Sequence, residues 1–357
     1  MKKKRILFFL PFINFGGAEK VTLLLADKLS TKKYDKYLII LNNSKNYKIE
    51  YDNFKIIDLK KLRLRNSIFS IIRSINSIKP DIIFSSIGYI NIFIILCRYF
   101  CFHKYKIIIR EANLPSISLG NNKNTELFKY LYKFLYPKAD KILVSSKTMK
   151  NDLIENFHIS SKKIFILNNP VDCNKILSKI DNSKSSKRKK IELVACGRLT
   201  YQKGFDRLIN WAEQFNISYN LKIIGDGEEK SKLENIIKEK KLKSNIYLMG
   251  NIKNPYQDIF DADAFLLSSR WEGMPNVVLE AMVCGTKIIA SEEIKQLNEF
   301  KTLIDKKFLN IANGQNDFIN QVNNLEKNNY LNKSNHLPLN FDINQVSFIF
   351  EKIIKDL

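Results

Sequence analysis

Hydrophobic positions follow two rhythms along this chain. Short unbroken apolar runs alternate with longer segments in which apolar residues recur every three or four positions. RILFFLPF, near the N-terminus, is of the first kind. A continuous run of that length suits a strand covered on both faces. VTLLLADKLS follows with helical spacing. Then come YLIILN and FKIIDL as strands, SIFSIIRSINSI as a helix and DIIFSS as a strand. An apolar helix, the strand KIIIRE, the helix TELFKYLYKFLY and the strand KILVSS complete this half. Repeated strand-then-helix predicts an α/β fold built on a parallel sheet.

The rhythm breaks at LNNPVDCNKILSKIDNSKSSKRKK, which opens on a Pro-containing turn and ends basic and Ser-rich, as a linker does. It then restarts. IELVACG, LKIIGDG, NIYLMG, AFLLSS and KIIAS read as strands. FDRLINWAEQF and the charged EEKSKLENIIKEKKL read as helices between them. From Glu292 the signals weaken until a last amphipathic helix, QVSFIFEKIIK. The expected organisation is an N-terminal domain over 1–172, a basic linker over 173–190 and a C-terminal domain over 191–340. A helix over 341–357 ends the chain, with the N-terminal domain as a candidate packing partner. Two α/β domains joined this way leave a cleft between the carboxyl ends of two sheets, where open α/β sheets bind ligands.

Charge narrows the partner. The chain has 357 residues with 59 Lys or Arg against 36 Asp or Glu, a net charge of +23. That excess predicts an anionic partner: nucleic acid, lipid headgroups or a phosphorylated substrate. The five cysteines have no framework spacing, which suits a reducing compartment. Cys97, Cys101 and His103 lie close together, but a closed site needs a fourth ligand. No metal is expected. Lys2-Lys3-Lys4-Arg5 before the first apolar run imitates a signal peptide. The run is short, contains a Pro and ends in Gly-Gly, so a buried strand is expected instead. No stretch has the 18 or so uncharged apolar residues of a spanning helix.

Three places carry candidate chemistry. Gly16-Gly17 stands between the first strand and the first helix, where backbone can approach an anion. A simple tight turn reads equally well. Gly197-Arg198 follows the first strand of the second half, with Lys203-Gly204 just beyond. Arg as a planar fork and Lys as a point charge suit a diphosphate. Two solvated loop cations are the plainer alternative. WEGMPNVVLEAMVCGT then sets Glu272 and Glu280 around a Gly-Met-Pro turn and an apolar helix. Pro275 suits the first turn, and the amides of Asn276 and its neighbours can hold phosphate. Ionised carboxylates accept hydrogen bonds from hydroxyls, so the two acids suit ribose and sugar. Asp261-Ala262-Asp263 imitates a cation motif, but two acids alone rarely make such a site.

The ordered set GRLTYQKGFDRLI, LKIIGDGEEKSKLENIIKEKKL, NIYLMGNI and WEGMPNVVLEAMVCGTKIIAS resembles family 4 glycosyltransferases. FINFGGAEKVTLLLADKLS and LNNPVD resemble that family's N-terminal loop and interdomain turn. LYPKADKILVSSKTMKNDLIENFHISSKKIFILNNPVD is most similar to bacterial transferases that extend polyprenyl-diphosphate-linked glycans. The resemblance implies the GT-B fold, two facing Rossmann-like domains, with an acceptor-side first domain and a donor-binding second domain. It implies a nucleotide-sugar donor, retention of configuration, and no cofactor or metal. Arg198 and Lys203 then take the diphosphate, Glu272 the transferred sugar and Glu280 the ribose. Gly197 and the backbone of Gly273, Met274, Pro275, Asn276 and Val277 line sugar and phosphate. Gly250, Asn251 and Ile252 flank the base, and Gly16 and Gly17 approach the phosphate from the first domain. Where many relatives carry a first-domain His this chain has Ala112, so Glu111 or Asn113 is the candidate there. After KIIAS the chain reads EEIKQLNEF, without the family's Gly-containing loop.

The expected function is therefore a retaining hexosyl- or N-acetylhexosaminyltransferase acting on a lipid-linked saccharide at the inner face of the plasma membrane. The rivals are a nucleotide-sugar epimerase on the same fold and a basic nucleic-acid-binding protein. No nucleic-acid motif appears, and nucleic acid is not an expected partner. An anionic membrane surface is. Lys60, Lys61, Arg63, Arg65, Arg73, Arg98, Lys104 and Lys106 surround or flank SIFSIIRSI and INIFIILCRYFCF in the first domain, as in a peripheral, non-spanning protein.

Overall fold

The computed structural model describes residues 2–12, 16–43, 53–120, 125–181, 188–300, 302–305, 307–327 and 333–357. The chain folds as two compact units, Met1–Pro170 with Ile343–Leu357, and Val171–Asp342.

The first unit carries strands β1 (Lys4–Phe12), β2 (Tyr34–Asn42), β3 (Lys55–Asp58), β4 (Ile82–Ser85), β5 (Lys106–Arg110), β6 (Lys141–Val144) and β7 (Ile164–Ile166). Its helices are α1 (Gly17–Lys28), α2 (Ile68–Ile78), α3 (Gly88–Cys97), α4 (Pro115–Gly120), α5 (Thr125–Leu135) and α6 (Lys147–Phe157). The strands form one sheet in the order β3-β2-β1-β4-β5-β6-β7, with every pairing parallel. The run that imitates a signal peptide is β1, an interior strand of that sheet between β2 and β4. Leu7 and Phe9 enter one core and Ile6, Phe8 and Leu10 the other. Burial on both faces removes any need for a polar alternate position, hence the unbroken run.

The second unit opens with α7 (Cys173–Leu177), followed by β8 (Ile191–Cys196), α8 (Phe205–Ala212), β9 (Tyr219–Ile224), α9 (Lys230–Glu239) and β10 (Ile246–Gly250). It continues with α10 (Tyr256–Asp261), β11 (Ala264–Leu267), α11 (Asn276–Val283), β12 (Lys287–Ala290), β13 (Leu309–Ile311) and α12 (Gly314–Asn323). Its parallel sheet runs β10-β9-β8-β11-β12-β13. The predicted α/β architecture of two parallel-sheet, Rossmann-like domains is therefore present.

One stretch differs from the sequence reading. The expected linker over 173–190 begins as α7. The Asp172 side chain accepts the Lys175 amide at 3.0 Å, and Ile176 is buried in the second unit's core. A capping acid and one apolar anchor are enough to order so short a segment. Residues 182–187 of that linker lie outside the described residues. The last helix, α13 (Ile343–Lys355), belongs to the first unit. Val346, Phe350, Ile353 and Ile354 join its core, and the Phe350 ring meets Phe84 edge-on at 5.4 Å.

Candidate functional site

In the second sheet β8 lies beside β11, so the order reverses between them. In open α/β sheets the crevice at that reversal, beyond the strands' carboxyl ends, is where ligands bind. The loop after β8 carries Arg198 and Lys203, and the loop after β11 carries Glu272. Topology thus brings together residues some seventy positions apart in sequence.

The two loops are laced together. The Arg270 amide donates to Gln202 O at 2.7 Å, Ser268 Oγ to Lys203 O at 3.1 Å and Gln202 Nε2 to Trp271 O at 2.9 Å. Gly204 closes the first loop at φ +64°, and a Cβ there would stand 2.2 Å from Ser268 O. Only glycine meets both demands. Arg270 holds the arrangement from below. It donates to both Asp206 carboxylate oxygens, at 2.9 and 2.8 Å, and its guanidinium stacks 3.9 Å from the Tyr201 ring centre.

Glu272 is buried. Its Oε1 accepts from Lys203 Nζ at 2.5 Å and from Ser269 Oγ at 2.7 Å, and Gln202 Nε2 stands 3.5 Å from Oε2. The residues read separately as a diphosphate cation and a sugar acid are therefore one ion pair here. Arg198 is different. It is exposed, and its guanidinium has no ion pair or hydrogen bond among the described residues. An exposed guanidinium with no protein partner has the chemistry to take up an anion.

The glycines extend this surface. The Gly225 amide donates to Gly250 O at 2.8 Å, and a Cβ on Gly225 (φ +142°) would meet Gly197 O at 1.9 Å. Backbone from β8, β9 and β10 thus converges at the strand ends, with Asn251 and Ile252 just after. The sequence reading did not single out Gly225 or Gly227, although GDG is visible in it. Gln202 and Ser269 were missed as well, since nothing in their type or spacing marks them as ligands of Glu272.

Helix α11 starts at Asn276 after Pro275, with no side-chain cap. Val278, Leu279, Ala281, Met282 and Val283 are buried on all sides, and Met274 and Val277 pack into the same core. Gly273 is buried beside them. Glu280 is itself buried, and its charge, after burial, helps push the Cys196 thiol well above its usual range. In the false cation motif, Asp263 is fully buried against Arg188 at 3.2 Å and accepts the Glu192 amide at 2.8 Å.

In the first unit Gly16 is the extended N-cap of α1 and Gly17 its first residue. Phe15 of the same loop lies outside the described residues. Glu111 follows β5 and is turned inward. Its Oε2 accepts from Tyr136 at 2.6 Å and Tyr132 at 3.1 Å, and its Oε1 from the Ala112 amide at 3.2 Å. Burial raises its pKa against those three hydrogen bonds. Asn113 caps its own neighbour, accepting the Leu114 amide at 3.0 Å. A cavity of about 550 Å³ in this unit is lined by Ser116, Glu126, Lys129, Tyr130, Lys133, Asn156 and Phe157, none of them a predicted site residue. Among the described residues no three His, Cys, Asp or Glu side chains are grouped to hold a metal.

Residues 178–338 match the family described as glycosyl transferases group 1, and residues 15–175 match glycosyltransferase family 4. A Campylobacter jejuni protein, N-acetylgalactosamine-N,N'-diacetylbacillosaminyl-diphospho-undecaprenol 4-alpha-N-acetylgalactosaminyltransferase, is 31% identical over 294 residues, 80% of each chain. This chain is a family 4 glycosyltransferase. Its fold is GT-B, as the sequence resemblance implied. The lipopolysaccharide outer core galactosyltransferase WaaB aligns with a TM-score of 0.69 at 21% identity, covering 99% of this chain and 100% of that one. Anabaena HepE, in complex with UDP-glucose, aligns with a TM-score of 0.78 at 14% identity and the same coverage. At such identities these structures speak for the fold of the glycosyltransferase.

Proposed function

We propose that this glycosyltransferase moves a hexose or N-acetylhexosamine from a UDP-sugar to a lipid-linked or growing saccharide, with retention of configuration, in surface polysaccharide or glycan assembly. The observation that carries the reading is the unpaired Arg198 guanidinium beside the Lys203–Glu272 pair at the reversal of the second sheet. The printed name of the Campylobacter jejuni relative, with its diphospho-undecaprenol acceptor and α linkage, supports acceptor class and stereochemistry. The Anabaena complex supports UDP as carrier.

In this reading Arg198 and Lys203 meet the diphosphate, and Glu280 takes the ribose. When the donor enters, Lys203 is shared between phosphate and Glu272, which leaves Glu272 Oε2 to accept from a sugar hydroxyl. The bond from the anomeric carbon to the diphosphate oxygen breaks, and its electron pair leaves with the phosphate. The acceptor oxygen bonds to the anomeric carbon and its proton passes to the departing phosphate. Arg198, Lys203 and the α11 amides stabilise the charge that develops on the leaving group. No cofactor or metal is invoked, and the enzyme works at the inner face of the plasma membrane.

The test is to incubate the protein with a panel of nucleotide sugars, with and without a polyprenyl-diphosphate-linked saccharide, and read the product by NMR. An α-linked product from an α-configured donor, formed equally in a chelator, is expected. An inverted product, dependence on a divalent cation, or an epimerised sugar formed without acceptor would overturn it.

A further inference from the structure

The helices α2, α3 and α5 cover one face of the first sheet. Ile71 and Ile75 of α2, Ile90 and Ile94 of α3 and Tyr132 of α5 share one core with the strands beneath. Their outer sides are not ordinary solvent faces. Phe69 on α2 is 89% exposed, Phe102 just beyond α3 is 95% exposed and Leu62 before α2 is 72% exposed. Tyr99 and Phe100 are exposed beside Phe102. Phe69, Arg73 and Asn76 recur along one side of α2, and Asn76 Oδ1 accepts the Phe102 amide at 3.0 Å. Phe102 is therefore tied beside Asn76, roughly 10 Å along α2 from Phe69 on the same side of that helix. Single exposed apolar residues are common, but several large rings on one face mark a contact surface.

The charge on that surface has one sign. Between Leu59 and Tyr105 the only acid is Asp81, which accepts the Arg5 amide at 2.7 Å. Two cations expected to flank the apolar stretches are engaged elsewhere. Arg98 turns inward to Asp140, Tyr105 O and Lys138 O, and Lys106 pairs with Asp140 at 3.2 Å. The side chains of Lys60, Lys61, Arg63, Arg65, Arg73 and Lys104 remain exposed, with no ion pair among the described residues.

We propose that this outer face of α2 and the segment after α3 is a docking surface for an anionic lipid bilayer, with Phe69, Phe102 and Leu62 entering the interface and the cations meeting phosphate headgroups. Rings flanked by Lys and Arg fit a surface that is apolar below and negative above. A second copy of the chain fits poorly, because a two-fold contact would set these cations against their own copies. No described helix is long and apolar enough to cross a membrane, so the contact lies on the bilayer.

The test is sedimentation of the full chain with vesicles of mixed phosphatidylglycerol and phosphatidylcholine, or of phosphatidylcholine alone. Wild type should bind the mixed vesicles at low ionic strength and be largely released in about 1 M salt, where screening acts within about 3 Å. Replacing Lys61, Arg63, Arg65 and Arg73 with Ser should weaken binding about fivefold per cation. Phe69→Ser with Phe102→Ser should weaken it at least about tenfold. Replacing Lys230, Lys238, Lys241 and Lys243 of the second unit with Ser should leave it within about twofold, since those cations lack the apolar face. All these positions are exposed, and melting curves check that each variant is folded. Absence of vesicle binding, equal loss in the second-unit variant, or unchanged binding after the Phe substitutions would overturn the proposal. So would self-association through the same rings, or tighter binding to a single-stranded oligonucleotide than to vesicles. None of these readouts uses turnover, so the proposal stands or falls apart from the transferase reading.

Discussion

The two units present the carboxyl ends of similarly ordered sheets, yet treat charge there in opposite ways. In the first unit the polar groups at the strand ends are buried and mutually bonded. Arg110 donates to Ser86 Oγ at 3.0 Å and Asn169 Oδ1 at 2.5 Å. Asn91 links Ser85 to the Arg110 carbonyl, and Glu111 takes the two Tyr hydroxyls. In the second unit the loop after β8 leaves Arg198 exposed, while Lys203 on the same loop is largely buried in its pair with Glu272. A fully satisfied network rigidifies a fold but has nothing left to offer a ligand. Incomplete neutralisation is what an anion site needs. One topology therefore carries two arrangements of charge, and loop chemistry separates them.

The sharpest way to break this comparison is to exchange the two arginines as targets. Arg198→Ala should lower turnover on the order of 10²-fold or more, the usual cost of removing one preorganised donor to developing charge. Its melting temperature should stay near wild type, because the side chain is exposed and unpaired. Arg110→Ala should do the reverse. It removes a buried hydrogen-bond donor from Asn169 and Ser86 and should lower stability by about 2–4 kcal/mol, with turnover per folded molecule largely kept. Steady-state kinetics beside denaturant melts separate the two, and equal patterns in both variants would erase the distinction.

A smaller effect sharpens the second unit alone. Glu280→Gln should weaken binding of UDP about tenfold, whereas Glu272→Gln should leave it unchanged or tighten it, because Lys203 is released from its pair. Glu272→Gln should still lower turnover. Calorimetry with UDP against both variants is the measurement, and parallel losses would contradict the separate roles.

The smallest effect concerns the first unit and pH. Burial raises the Glu111 pKa in the folded protein, so the folded state holds that proton more readily than the unfolded chain. Its contribution to stability is therefore complete below the unfolded carboxylate range, near pH 4, and is lost as pH rises through the raised value. Glu111→Gln removes this slope. The variant should gain on wild type as pH rises from about 4 toward neutrality, as read from urea midpoints. A gap between the two that is flat with pH would mean Glu111 does not titrate as its burial demands.

Much of the fold was legible because burial leaves a mark on local sequence. Unbroken apolar strands such as β1 and β5, and amphipathic helices such as α2 and α13, announce themselves by period. Elements with short or mixed patterns did not. Edge strands β7 and β13 are three residues each, with FI or NI exposed or half exposed, so no period exists to read. Helix α7 looked like linker because one Ile and one capping Asp are its whole signal.

What the sequence determined by itself was the fold class and the family, since each depends on residue type in order along the chain. Tertiary structure alone decided the partners of the charged residues. That Lys203 and Glu272 form one pair, that Arg198 has none among the described residues, that Glu111 faces its own tyrosines and that Arg98 turns inward all depend on which strand ends lie side by side. Those neighbours come from sheet order, which joins residues far apart in sequence and leaves no trace in local pattern.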